Sequence, residues 1–303
     1  MIQLNNSITK MRFLPYYSGG DACERKAMSN KKYGNKRNED KYRDDRRERA
    51  PRQDSSEELS EGIVVGRNAV RELLKSGRDI DKIFVARGER EGSIVVIVAE
   101  AVERKIPVVE VDKIKLDKMS GFTPHQGVVA MAAEKEYCSV EDILRIAEER
   151  GEKPLIVISD GISDPHNLGA LIRCAEGVGA HGIIIPKRRA VGLTPVVTKA
   201  SAGAIEHMAI AKVPNIAACI EELKERGVWV FSAEAGGQPY YETDFKCPCA
   251  LVFGSEGEGV SKLVKDRSDY IVSIPMYGKV NSFNVSTAAA IILAEASKQH
   301  RGG

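Results

Sequence analysis

The chain has 303 residues, a formal net charge of +2 and 29% charged side chains, long enough for two domains and apolar enough for a sizeable core. It holds no run of roughly 18 or more apolar residues, so it offers no candidate for a helical membrane span, and residues 1–27 lack the apolar centre of a signal peptide. The six cysteines are scattered without a Cys-x-x-Cys pair; they read as reduced cytosolic thiols, with neither a disulfide frame nor a zinc or other metal site.

Charge is unevenly spread. Between Glu24 and Gln53 stand 12 Lys/Arg against 6 Asp/Glu, with Tyr33 and Tyr42 among them and almost no aliphatic residues. Such a composition cannot bury enough to order itself. Residues 1–60 are therefore expected to be a disordered basic tail, either merely solubilising or suited to a phosphate backbone. Met28, followed by Ser29-Asn30-Lys31-Lys32, reads as a natural start, with the preceding residues an upstream extension.

From residue 61 the pattern becomes globular. Ile63-Val64-Val65 leads into apolar residues at helical spacing over 68–74, followed by a strand over 82–86, a helix over 94–104, a strand over 107–111, a helix over 114–119 and a strand over 127–133. This is a small α/β domain, 61–133. A charged segment, 134–153, contains an amphipathic helix at 140–149 and is expected to link the halves. In the second half, 154–300, apolar strands at 155–158, 182–185, 228–231, 250–253 and 270–274 alternate with helices at 168–178, 216–226 and 287–296. Continuous apolar strands between helices imply a buried parallel sheet covered on both faces, with ligands beyond the strand C-termini.

Three segments after strands carry polar residues that a plain core does not need. In Asn167-Leu168-Gly169-Ala170-Leu171-Ile172-Arg173, Asn167 and Arg173 fall on roughly one side of a helix, about 120° apart. Arg173 there is either a surface arginine or a functional one. Gly254-Ser255-Glu256-Gly257-Glu258-Gly259 follows a strand; its glycines either close a tight turn or bring amides close to a ligand. The spacing fits neither the dinucleotide fingerprint nor a P-loop. In Ile274-Pro275-Met276 through Ser282-Phe283-Asn284-Val285-Ser286, Ser282, Asn284 and Ser286 suit a helix N-cap, an exposed-amide site, or both. Cys247-Pro248-Cys249 is read as structural.

Taken together, Asn167-x-Gly169-x-x-x-Arg173, Gly254-Ser255-Glu256-Gly257-x-Gly259 and Ile274-Pro275-Met276-x5-Ser282-Phe283-Asn284-Val285-Ser286 resemble the three motifs of the SpoU/TrmH family of the SPOUT superfamily, over about residues 62–297. Gly66-Arg67-Asn68-Ala69-Val70 and His125-Gln126-Gly127 also look like the small domain of its 23S rRNA guanosine 2′-O-methyltransferase branch. The resemblance implies an α/β SPOUT domain with a parallel sheet and a deep trefoil knot, an exception to the rule against knots, and a small L30e-like RNA-binding domain. It implies a cytoplasmic homodimer using S-adenosyl-L-methionine (AdoMet) as cofactor, with RNA, 23S rRNA favoured, as partner. Carried over by motif, Arg173, Asn167, Glu256, Ser282 and Asn284 would be catalytic, and Gly254, Ile274 and Phe283 would contact the cofactor, Phe283 standing where relatives often carry leucine.

Three rival readings stay open. A nucleotide-cofactor oxidoreductase would use the same sheet edge, but the glycine-rich turn after its first strand is missing. A non-catalytic RNA-binding relative and a tRNA guanosine 2′-O-methyltransferase both keep the motifs.

Overall fold

The computed structural model describes residues 62–88 and 91–302; the expected basic tail and the expected start at Met28 lie outside them. Among the described residues the chain builds two sheets.

In the smaller, β1 (Ile63–Val65), β2 (Ile80–Ala86), β3 (Val108–Val111) and β4 (Val128–Ala132) run in the order β1-β4-β2-β3, with only the β2/β3 pair parallel. Side chains alternate across a strand, so Val64, Ile83, Val85, Val128 and Ala130 face one core with α1 (Arg67–Ser76) and α2 (Ser93–Glu103). Ile63, Val65, Phe84 and Val129 face the other, where α3 (Lys113–Met119) inserts Leu116.

The larger sheet has six parallel strands: β5 (Leu155–Asp160), β6 (Gly182–Pro186), β7 (Ile210–Val213), β8 (Trp229–Pro239), β9 (Cys249–Gly254) and β10 (Tyr270–Ser273), in the order β10-β8-β9-β5-β6-β7. Its central strands, β5, β6 and β9, are buried on both faces. Leu155, Val157, Ile183, Ile185, Leu251 and Phe253 meet α5 (Pro165–Gly177), α6 (Pro195–Ala200) and α9 (Val285–His300). Ile156, Ile158, Ile184, Val230 and Val252 meet α4 (Val140–Glu149), α7 (Ile216–Glu225) and α8 (Lys262–Arg267). The parallel α/β architecture expected from the apolar strands is therefore present.

Several expectations need correction. Helix α4, expected within a connecting segment, lies on the large sheet, its Ile143 fully buried and pressed against the Gly182 backbone, where a β-carbon would come within 2.5 Å. Ser139 and Asp142 close a reciprocal capping box at its start. The short α6, β7 and α8 fall in stretches where no element was expected, and β8 runs eight residues beyond Phe231, its expected end.

The two lobes belong to one compact unit and meet where α1 faces a short 3-10 turn, Ala204–Glu206. Gly203 (φ 97°) packs so closely on Glu72 that a β-carbon would stand 2.7 Å from that side chain's own. Glu72 also pairs with His207 at 2.9 Å. The Glu206 carboxylate, 1% exposed, lies 3.2 Å from the Arg78 guanidinium, and Lys135 Nζ donates to the Glu206 carbonyl at 3.2 Å. Burial pushes the Glu206 carboxyl above its ordinary range, with Arg78 and Lys135 opposing.

Candidate functional site

Three loops leaving the C-terminal edge of the large sheet converge. The first begins at Asp160, the last residue of β5, whose Oδ2 accepts from Ser261 N at 2.8 Å and so ties it to the loop after β9. Asp164 caps α5 by accepting from His166 N at 2.9 Å, and Pro165 occupies its first turn, where no amide is missed. Asn167 follows and is buried. Gly169 allows α5 to touch α6, for a β-carbon there would lie 2.4 Å from that of Ala200 and 2.8 Å from the Val197 carbonyl. That contact fixes the register at which Asn167 is presented.

In the second loop Ser255 and Gly259 exchange two backbone hydrogen bonds of 3.0 and 3.1 Å. Gly257 (φ 91°) and Gly259 (φ 68°) are left-handed, and a β-carbon on Gly254 would strike the Gly259 and Val260 backbone at 2.0–2.2 Å. The glycines thus close a turn tight enough to hold Glu256 at its tip.

The third loop ends at Asn284, the N-cap of α9. Its Oδ1 accepts from Ser286 N at 2.9 Å and Ser286 Oγ at 2.6 Å. Its amide nitrogen donates to Glu256 Oε1 at 2.7 Å and to Asn167 Oδ1 at 3.0 Å, while Asn167 Nδ2 donates to the same Glu256 oxygen at 2.7 Å. Asn167, Glu256 and Asn284, separated by up to 117 residues, form a closed triangle. Asn284 therefore caps a helix and joins the loops at once, whereas Ser282, also expected at the cap, does not serve there.

Beside the triangle opens a cavity of about 580 Å³, lined by Gly254, Glu256, Ile274, Ser282, Phe283 and Asn284 among others, within the usual range for a small-molecule site. Its walls mix apolar side chains (Met276, Val285, Ile292) with the backbone of the glycine turn. Phe283, one of the lining residues, is 44% exposed. Among the described residues the charged side chains lining the cavity are Glu234 and Glu256, so it suits a ligand with an apolar body and cationic or hydrogen-bond-donating groups.

Arg173 stands apart. It is exposed, does not line the cavity and makes no ion pair or hydrogen bond among the described residues; its charge is felt by the Cys174 thiol. The expected shared side of α5 is corrected by geometry: 120° of rotation and roughly 9 Å of rise over six residues suffice to bury Asn167 and leave Arg173 in solvent.

Glu234 is the residue that motif reading missed. The β10 register jumps from Ser232 to Gln238, so residues 233–237 bulge from β8 and set Glu234 over the cavity. Its Oε2 accepts from Val260 N at 3.3 Å and from Lys265 Nζ at 3.4 Å. The available signal was Gly236-Gly237 after an apolar run, since glycines in a strand mark a bulge.

Comparison with known proteins agrees with this geometry. Residues 154–294 match the SpoU rRNA Methylase family, and residues 63–138 match the RNA 2′-O ribose methyltransferase substrate binding domain. The chain is 46% identical over 233 residues to YacO, a TrmH family tRNA/rRNA methyltransferase by name, of Bacillus subtilis (strain 168), covering 77% of this chain and 93% of that protein. A relative of the same family name from Staphylococcus haemolyticus is 44% identical, covering 80% and 97%. Among solved structures, the SpoU methyltransferase AviRb from Streptomyces viridochromogenes superposes with a TM-score of 0.67 at 25% identity, covering 80% of this chain and 91% of that one. An AdoMet-bound rRNA methyltransferase from Sinorhizobium meliloti does so with a TM-score of 0.64 at 26% identity, covering 78% and 86%. With near-complete coverage of its relatives at this identity, and with the loops of all three motifs joined by the Asn167–Glu256–Asn284 triangle, the chain belongs to the SpoU/TrmH family of RNA methyltransferases.

Proposed function

We propose that this chain methylates the ribose 2′-hydroxyl of a guanosine in 23S rRNA, using AdoMet held in the cavity beside Glu256. The observation that carries the reading is the Asn167–Glu256–Asn284 triangle, which joins three separate loops beside a cavity whose walls mix apolar and polar groups with two glutamates. The residues fit such a cofactor: Ile274 and Phe283 offer apolar contact, the Gly254 turn offers backbone groups, and Glu234 and Glu256 offer negative charge. Bound there, AdoMet supplies an electrophilic methyl on a sulfonium.

The rest falls to the chain. A 2′-hydroxyl is too weak an acid to ionise unaided, and its oxygen must be aligned with the methyl. Arginine keeps its charge in proteins; Arg173 therefore acts by engaging the adjacent phosphate and stabilising the developing oxyanion, not as a simple base. Ser282 and Asn284 orient the ribose, and Asn167 holds Glu256 and Asn284 in place. Support for rRNA comes from the SpoU rRNA Methylase match over residues 154–294 and the Sinorhizobium meliloti likeness; tRNA is the second reading, favoured by the tRNA/rRNA naming of the Bacillus subtilis relative.

We propose further that the chain works in the cytoplasm as a homodimer, with the exposed small side chains of Thr287, Ala290 and Ala294 on α9 available for close packing, and that its C-terminal segment is knotted. The sheet order, in which β10 lies beyond β8 while α9 returns against α5, supports the knot. Replacing Arg173 by Ala should abolish methylation while leaving calorimetric AdoMet binding intact; undiminished turnover refutes its role. Mapping ribose methylation across rRNA and tRNA in a deletion strain tests the substrate, a loss confined to tRNA overturning the rRNA reading.

A further inference from the structure

The turn between α3 and β4 displays an aromatic ring that the fold does not use. Gly121 N donates to the Lys118 carbonyl at 3.1 Å and Phe122 N to the Asp117 carbonyl at 2.7 Å, the paired bonds of a Schellman helix stop. Both residues are left-handed, Gly121 at φ 56° and Phe122 at φ 57°. Glycine adopts this conformation freely, but a bulky aromatic there is an outlier. In such a stop the residue at Phe122's position commonly packs an apolar side chain back on the last helical turn, yet Phe122 is 79% exposed.

The backbone beneath it is firmly held. Ser120, fully buried, donates to the Asp117 carbonyl at 3.0 Å. His125, 5% exposed, lies 3.1 Å from Asp117 Oδ1 and accepts from Gly127 N at 3.0 Å. The ring is thus presented to solvent from a rigid, strained turn, and strain that persists this way marks functional positions.

The helix that leads into it carries exposed lysines. Helix α3 carries Lys113, Lys115 and Lys118, and none of the three is in an ion pair among the described residues, Lys115 instead lying 5.9 Å over the Phe84 ring. The acids adjoining them, Asp112 and Asp117, are taken by Arg87 and His125. Ile114 on the same helix is 71% exposed. An exposed aromatic beside unpaired lysines suits single-stranded RNA, whose splayed bases stack on rings while cations hold the phosphates.

We propose that Phe122 is a stacking post for an unpaired base of the RNA substrate, with the α3 lysines on the flanking phosphates. The proposal rests on the RNA-methyltransferase reading and deepens it. The test uses the full chain and two fluorescein-labelled probes, an RNA hairpin with an unpaired purine loop and the blunt duplex of its stem. Phe122→Gly relieves the left-handed backbone, so its unfolding temperature stays level or rises, while hairpin affinity falls roughly five- to a hundredfold. Duplex and AdoMet affinities stay unchanged, and Phe122→Trp keeps hairpin binding whereas Phe122→Leu loses it. Hairpin binding that survives Phe122→Gly overturns the stacking role alone, as does a drop in unfolding temperature large enough to show that the ring packs against the fold. A wild type that binds neither probe overturns the RNA reading itself, and the stacking post with it.

Discussion

Asn284 performs two jobs that substitution can separate. As the α9 cap it accepts from Ser286 N, and across the loops it donates to Glu256 and Asn167. Losing an N-cap costs about 1 kcal/mol. A charge-assisted bond such as that to Glu256 is worth about 1.5–3 kcal/mol and the neutral one to Asn167 about 0.5–1.5. Asn284 and Glu256 are exposed, so the low ends apply, and Asn284→Ala is expected to cost about 2–4 kcal/mol. Asn284→Ser keeps a cap but cannot span the loops, and should lose only about 1–3 kcal/mol, roughly the cap's share less than Ala. Asn284→Asp also keeps the cap but sets a second carboxylate against Glu256. One carboxyl of that pair then holds its proton to a raised pKa, so the variant is stable in acid and loses stability as pH rises through that value. Urea unfolding across pH, with AdoMet binding by calorimetry, reads all three. The reasoning fails if Ser costs as much as Ala, or if Asp matches the wild type in alkaline buffer.

Removing the partner of a buried charge should be more damaging. Arg78→Met strands the Glu206 carboxylate and is expected to cost about 3–5 kcal/mol, most of it recovered by adding Glu206→Gln. Burial already raises the Glu206 carboxyl, so in the single variant stability is greatest below the unfolded glutamate pKa, near 4.3, and is lost as pH rises through the higher folded value; a flat pH profile in thermal melts would contradict this. Glu234→Gln removes one of the two negative charges that line the cavity among the described residues and should reduce the preference for AdoMet over its thioether product, which lacks the sulfonium charge, by about 1 kcal/mol, read as a ratio of calorimetric affinities; an unchanged ratio rules out a charge role for Glu234.

What the sequence revealed depended on burial and on local regularity. Strands such as Ile156-Val157-Ile158 were legible because both faces are covered and every residue is apolar. Edge strand β7 escaped because it has four residues and exposes Lys212, and α6 because six residues opening on Pro195 leave no helical period to detect. Within the site, Asn167, Glu256 and Asn284 were visible as polar residues following apolar strands, and the triangle they form is a direct consequence of the parallel topology. Glu234 was hidden because its position depends on a register jump between β8 and β10, which no periodicity records. The disposition of Arg173 illustrates the converse: spacing gave the angle between two side chains but not which of them the core would claim.

The junction between the lobes carries a consequence for how they can move. Swinging the small lobe away from the large one would expose the Glu206–Arg78 pair and part Glu72 from His207, so the separation between the two lobes is set before any partner arrives. Parting the lobes therefore means laying bare a buried carboxylate, and the seam resists that motion.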